Sequence, residues 1–243
     1  MDDKRSIEVV YSPRLFSNIT TKKPYVVVVT DVFRATTSIC AALDYGVKAI
    51  IPVKRIRHAR FLKRLGFLVA AERGGNKVKF ADLDNSALSF FNERFKGKEI
   101  VYSTTNGTKA IRLASSEAAR IAVGAFVNIK ALSQWIVRQD KNVVILCAGW
   151  KNKVNMEDSL FAGALSELLL ESGKFDTDCD AAKMAMDQWE LAKDDIQGYI
   201  ARSSHRNRLR HLVSDEVLDY TFNIDSSQVV PVLKGYKIVP AQD

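Results

Sequence analysis

From position 7 to position 170, short β-branched runs alternate with segments whose apolar residues recur every three to four positions. The valines from 26 onward, Val26, Val27, Val28 and Val29, form a nearly continuous apolar run, the pattern of a strand covered on both faces. The pattern predicts strands at 26–30, 49–53, 67–71, 99–103, 120–123 and 143–147. Between them it predicts helices at 35–45, 55–65, 107–114, 129–138 and 156–170, with Gly46 and Gly66 as stops after the first two. Strand followed by helix, repeated, is the signature of an α/β fold with a largely parallel sheet. Beyond Ser172 the order changes: 178–199 reads as helix, more helix surrounds 206–213, and 228–239 reads as a closing β-hairpin through Lys234-Gly235. That hairpin makes the expected sheet mixed. No Pro/Gly/Ser linker interrupts the chain, so 1–243 is expected to be one compact unit, in one lobe or two. The segment 26–31 leading into a helix is echoed faintly by 143–149 leading into another.

Composition narrows the class of protein. Hydrophobic residues make up 47% and charged residues 26%, which is globular rather than disordered. The longest apolar runs are too short to span a bilayer, and the mixed-charge start carries no signal-like segment, so a cytoplasmic location is expected. Cys40, Cys147 and Cys179 are scattered and odd in number, without a disulfide or zinc pattern. The formal net charge is +8, with basic clusters at 54–64 and 202–210. Nucleic acid is one partner such charge suits, and a small polyanion drawn into a cationic cleft is the other. No stacking motif, glycine-arginine tail or zinc finger accompanies the basic clusters, which reads against nucleic acid and for the small anion.

In open α/β sheets ligands bind at the carboxyl ends of the strands, so the polar residues after four strands are the candidates for chemistry. In Ser103, Thr104, Thr105, Asn106, Gly107 and Thr108, four hydroxyls precede a helix, more than capping needs, and the helix N-terminus suits a phosphate. Asp31, followed by Arg34, Thr36 and Thr37, stands at a strand end. It is either a magnesium ligand, a covalent nucleophile or a helix cap. Phe33 occupies the place where the haloacid-dehalogenase pattern needs a second Asp, which weakens the covalent reading. Glu157 and Asp158 open a helix, where a helix dipole stabilises acids; beside Asp31 they become candidate metal ligands. Glu72 joins that argument more weakly. Cys147, in Cys147-Ala148-Gly149, lacks the arginine six residues on that a cysteine phosphatase needs, since Lys153 is there, and reads as a buried strand end. His205, set among Arg202, Ser203 and Ser204, is a candidate acid or base, or a surface residue.

Together these stretches resemble the 2-phosphosulfolactate phosphatase family. The matching pieces are Asp31-Val-Phe-Arg34-Ala-Thr36-Thr37, Glu72-Arg73-Gly-Gly with Asp84-Asn85-Ser86, the 103–108 loop, Cys147-Ala-Gly149 with Glu157-Asp158, and Arg202-Ser-Ser-His205. They fall in the family's order across 31–205. Phe33 replaces the family's usual leucine, and Ala87 its usual proline after Asn-Ser. The resemblance implies a three-layer α/β/α fold and magnesium-dependent hydrolysis of 2-phospho-3-sulfolactate to sulfolactate and phosphate, a step of coenzyme M biosynthesis.

On that basis Asp31, Glu157 and Asp158 are expected to hold Mg2+. Thr36, Thr37, Asn85, Ser86, the 103–108 loop, Cys147 and Gly149 are expected around the substrate. Arg34, Arg73 and Arg202 would neutralise its anionic groups, and Glu72 or His205 would handle protons. The expected partner is a small anionic phosphate ester, with neither nucleic acid nor membrane, and a homodimer is an assembly the sequence leaves open. The alternative function is a non-catalytic binder of a phosphorylated metabolite.

Overall fold

The structure is a computed structural model and describes residues 4–116 and 118–242. In chain order its elements begin with β1 (Arg5–Val10), β2 (Tyr25–Thr30), α1 (Ala35–Asp44), β3 (Ala49–Pro52), α2 (Ile56–Arg64), β4 (Leu68–Arg73) and β5 (Asn76–Lys77). They continue with β6 (Glu99–Ser103), α3 (Gly107–Ala114), β7 (Arg120–Gly124), α4 (Ile129–Gln139), β8 (Asn142–Cys147) and α5 (Met156–Glu171). The last part holds β9 (Phe175–Asp176), α6 (Asp180–Glu190), α7 (Ile196–Ile200), α8 (Ser204–Leu209), α9 (Asp215–Thr221) and the strands β10 (Pro231–Lys234) and β11 (Lys237–Pro240). Among the described residues no helix is long and apolar enough to cross a membrane.

One sheet carries the fold, in the order β5-β4-β6-β3-β11-β10-β7-β2-β8-β1-β9. It is two parallel blocks joined through the C-terminal hairpin. β3, β4 and β6 run parallel to one another, as do β7, β2, β8 and β1. Between the blocks β10 and β11 pair antiparallel, with Val232 opposite Ala122 and Ile238 opposite Ile50. The hairpin predicted at the end of the chain is therefore present, but it lies in the middle of the sheet. Its Ile238 is fully buried there.

Period-two alternation explains how β2 faces two layers. Val27 and Val29 pack in one core with Ile39 and Ala42 of α1 and Ala110 and Ile111 of α3. Val26 and Val28 pack in another with Leu132 and Ile136 of α4 and Leu160 and Leu165 of α5. Helices thus cover both faces, giving the three-layer α/β/α arrangement. A third cluster seats Ala59 of α2 against Ile51, Val69 and Val101. The rest of α2 is largely solvated: Lys63 pairs with Asp82 at 2.5 Å, and Arg60 lies over the Phe80 ring.

The structure departs from the sequence pattern in a few places. The single helix expected at 178–199 is broken into α6 and α7, because Asp195 caps a new start by accepting from the Gly198 N–H at 2.9 Å. β1 and α9 were not anticipated. The faint echo between 26–31 and 143–149 has a physical counterpart, since β2 and β8 are parallel neighbours with Val26 opposite Val143 and Thr30 opposite Cys147.

Candidate active site

The two parallel blocks run in opposite directions, because three antiparallel pairings separate β7 from β3, yet the loops that follow β2, β4, β6 and β8 line one small cleft. Asp31 and Arg34 reach it from the β2 end, and Glu72 with Gly75 from the β4 turn. Thr104, Thr105 and Asn106 reach it from the β6 loop, and Trp150 from the β8 loop. Asn85 lines one wall, while α8 supplies His205 and Arg208 from a part of the chain distant in sequence.

Asp31 is buried, yet among the described residues no hydrogen bond reaches its carboxylate. Its backbone is held instead: its N–H donates to Thr36 Oγ1 at 3.0 Å, and its carbonyl accepts from the Thr36 N–H at 3.0 Å. Thr37 Oγ1 donates to the Val32 carbonyl, so both threonines of this stretch brace the loop. Burial first, and the negative charge of Asp158 next, push the Asp31 carboxyl up to about 8. Gly107 makes this possible sterically. A Cβ there would lie 2.6 Å from Ala35 Cβ and 3.1 Å from Asp31 Oδ2, so only glycine lets the start of α3 come this close.

The neighbouring carboxylates are already engaged. Asp158 Oδ1 accepts from the Val32 N–H at 2.9 Å and Oδ2 from the Gly149 N–H at 3.0 Å, clamping the β2 loop to the β8 loop. Burial and the Glu157 charge hold its carboxyl well above the usual range, while the two N–H donors pull it back. Glu157 is fully buried; Oε1 meets His205 Nδ1 in a short contact, and Oε2 accepts from Ser203 Oγ at 3.4 Å. Glu72 accepts from the Gly75 N–H at 2.7 Å and the Thr105 N–H at 2.6 Å, bracing the β4 turn against the β6 loop.

The expected trio of Asp31, Glu157 and Asp158 is close enough for the charges to act on one another, and of the three only Asp31 has a carboxylate that no hydrogen bond reaches among the described residues. Among the described residues no group of three His, Cys, Asp or Glu side chains converges on a cation position. Each oxygen of Glu157 and Asp158 meets one hydrogen-bond partner, whereas the Asp31 carboxylate meets none among the described residues. In the same cleft, Asn85 Oδ1 is buried without a partner, an acceptor suited to a donor or a cation. One open carboxylate and one orphaned carbonyl oxygen fit Mg2+, which commonly binds through one or two carboxylates and completes its shell with water and phosphate.

The hydroxyl-rich loop divides its labour. Ser103 Oγ accepts from Arg73, Thr104 Oγ1 accepts from the Thr108 N–H, and Thr108 Oγ1 donates to the Thr104 carbonyl. Three hydroxyls thus hold the loop's shape, and Thr105 and Asn106 face the cleft. Among the described residues the N–H groups of Asn106 and Gly107 have no acceptor, so they remain for an anion at the start of α3.

Several expected residues lie elsewhere. Arg202 is exposed, its guanidinium stacked over Tyr199 at 4.1 Å, and it does not line the cleft. Arg73 spends its donors on the carbonyls of Glu72, Ser103 and Lys54 and on Ser103 Oγ. Cys147 is buried behind the cleft, its thiol against the Asp158 carbonyl and its pKa raised first by burial. Ser86 receives its position from Asp84, which accepts its N–H at 2.9 Å.

Arg208 and Trp150 were missed. Arg208 had a sequence signal, since it follows His205 by three residues on one helix and so shares its face. Trp150 had none, because its place depends on the turn in which Trp150 and Lys153 exchange backbone hydrogen bonds.

A family model described as 2-phosphosulpholactate phosphatase matches residues 11–236. A protein of Caldanaerobacter subterraneus subsp. tengcongensis named "Probable 2-phosphosulfolactate phosphatase" is 34% identical, covering 89% of this chain and 91% of its own length. Proteins of the same name from Caldicellulosiruptor saccharolyticus and Prochlorococcus marinus are 37% and 33% identical, covering 84% and 86% of this chain and 86% and 89% of theirs.

Proposed function

The chain belongs to the 2-phosphosulfolactate phosphatase family of phosphoric monoester hydrolases, and we propose that its cleft hydrolyses 2-phospho-3-sulfolactate, or a closely similar phosphorylated hydroxy acid, with magnesium. The observation that carries the reading is the convergence of an open carboxylate, an anion-ready helix start, a buried guanidinium and a carboxylate-held imidazole on one cleft.

Phosphoryl transfer asks a protein mainly for position and charge neutralisation. The N–H groups of Asn106 and Gly107, with Thr105, would receive the phosphate oxygens. Arg34, whose Nη2 is anchored on the Gly75 carbonyl at 2.6 Å, would face the same group with its remaining donors. Asp31 and Asn85 Oδ1 would hold magnesium, which when bound supplies charge neutralisation at a phosphoryl oxygen.

Glu157 holds His205 through Nδ1, leaving Nε2 as the nitrogen for proton transfer. As water adds to phosphorus and the bond to the ester oxygen breaks, Nε2–H would protonate the departing hydroxyl oxygen. Both protons of the water would remain with the phosphate, released as its monoanion, and His205 would take one proton from solvent.

The test is phosphate release from 2-phosphosulfolactate with magnesium and with EDTA. Release that needs magnesium supports the reading. Tight binding of the ester without release would instead make the chain a binder of a phosphorylated metabolite.

A further inference from the structure

The named substrate carries two oxyanionic groups besides its phosphate, a carboxylate and a sulfonate. The phosphate side of the cleft, built by the β6 loop and Arg34, leaves these without a partner. We propose that Arg208, held on the face of Trp150, binds one of them and so selects polyanionic phosphate esters over simple ones. This assignment rests on the phosphatase reading for the identity of the ligand, though not for the existence of the subsite.

Three observations carry it. Arg208 and Trp150 line the same cleft as Asp31 and Thr105, and the guanidinium carbon sits 3.7 Å from the Trp150 ring centroid. Its orientation is also fixed from its own helix, since Nη1 donates to the Ser204 carbonyl at 3.2 Å and to Ser204 Oγ at 3.4 Å. An exposed arginine ordinarily samples many rotamers; stacking and these bonds order this one before a ligand arrives.

Among the described residues, no carboxylate forms a salt bridge with Arg208, whereas Lys63 and Lys237 are each paired with an acid. A pre-ordered guanidinium with an unused edge at the mouth of a cleft is suited to a forked contact with a carboxylate or sulfonate.

The spacing also fits the reaction. His205 and Arg208 are three residues apart on α8, which puts them about 4.5 Å apart along the helix axis. Both side chains line the cleft, so an imidazole at the ester oxygen would have a guanidinium from the same helix for another acid group of the substrate. Arg202, the arginine of this segment that sequence alone would choose, is turned onto Tyr199 instead.

The experiment compares kcat/KM for 2-phosphosulfolactate, 2-phospholactate and isopropyl phosphate in the wild type and in Arg208→Gln. Arg208→Lys and Arg206→Gln serve as controls. The expected result is a loss of roughly 30-fold, carried by KM, on a substrate bearing the recognised group, and less than about threefold on isopropyl phosphate. Loss on both acid substrates assigns Arg208 to the carboxylate, and loss on 2-phosphosulfolactate alone assigns it to the sulfonate. Arg208→Lys should recover part of the loss, and Arg206→Gln, which removes the same charge from the same helix, should leave the substrate ratios unchanged.

Equal loss on all three esters, or an equal effect of Arg206→Gln, would overturn the proposal. Calorimetric binding of sulfolactate, which has no phosphate, separates this from a failure of the phosphatase reading. Binding by the wild type that weakens at least about tenfold in Arg208→Gln supports the subsite even if no ester is hydrolysed. Equal binding by both proteins overturns it.

Discussion

The loop after β2 brings a buried carboxylate to the cleft and the first turn of α5 sets two more behind it, and they use them in opposite ways. Asp158 gives both oxygens to backbone N–H groups, and Glu157 gives its oxygens to His205 and Ser203. Asp31 gives its oxygens to no donor among the described residues, and its carboxyl is pushed up to about 8. A carboxylate satisfied on every side is a clamp, because moving it would strand the groups it pairs. A carboxylate buried without partners is costly to keep charged and is poised for a cation. The acidity of the site therefore separates into an unpartnered group on one loop, which the proposed function makes the working one, and hydrogen-bonded groups on the other.

Chelation gives the largest expected contrast between the two regions. If the cation sits on Asp31 and the α5 turn is only a clamp, EDTA should lower phosphate release by at least about 10³-fold while leaving the thermal midpoint within a degree or two. A large fall in the midpoint on chelation would instead place the metal among the clamping carboxylates.

Next comes Glu157→Gln, which keeps the shape of the side chain and removes the charge that orients His205. We expect kcat to drop roughly 10- to 100-fold with KM little changed, measured by steady-state phosphate release. A change confined to KM would make Glu157 part of the substrate site.

Asp158→Asn should act on stability. Its amide presents a donor to one of the Val32 and Gly149 N–H groups, at a cost of about 1–3 kcal/mol in urea unfolding. An unchanged unfolding midpoint would show that the clamp contributes nothing.

The smallest effect is on pH dependence. In EDTA, native Asp31 keeps its proton up to about 8, whereas the unfolded carboxyl loses it near 4. The native state thus binds more protons across that window. The stabilising contribution is present in full below about 4 and is lost as pH rises through about 8, at no more than about 1.4 kcal/mol per pH unit. Asp31→Asn should remove its share of this slope, leaving that of Asp158, in thermal melts taken between pH 5 and 8.

Local pattern was enough for much of this molecule. The bounds of β6 and α3 follow from a β-branched run and from Asn-Gly before an apolar face, and the parallel order follows from strand-helix alternation. The polar loops after β2, β4, β6 and β8 do line one cleft, although the two blocks run in opposite directions and their strand ends do not share an edge as a wholly parallel sheet would have it. What the pattern lacked is non-local. The place of β10 and β11 between the two parallel blocks depends on pairings with residues more than a hundred positions away.

The same holds for the carboxylates. Glu157 and Asp158 look alike in sequence as acids at a helix start, and only Ser203, His205, Val32 and Gly149 reveal that their oxygens are spent. Of the arginines on one basic segment, the sequence pointed to Arg202 and not to Arg208. The ring each guanidinium stacks on, Tyr199 outside the cleft or Trp150 within it, decides between them.

The most direct test of the division between working and clamping carboxylates is phosphate release from 2-phosphosulfolactate by wild type, Asp31→Asn and Asp158→Asn, side by side with saturating magnesium and well below each protein's melting temperature. The account predicts that Asp31→Asn is folded and at least about 10³-fold slower, while Asp158→Asn retains activity within about tenfold of wild type. An Asp31→Asn protein within tenfold of wild type, or an Asp158→Asn protein that is stable and inactive, would contradict it.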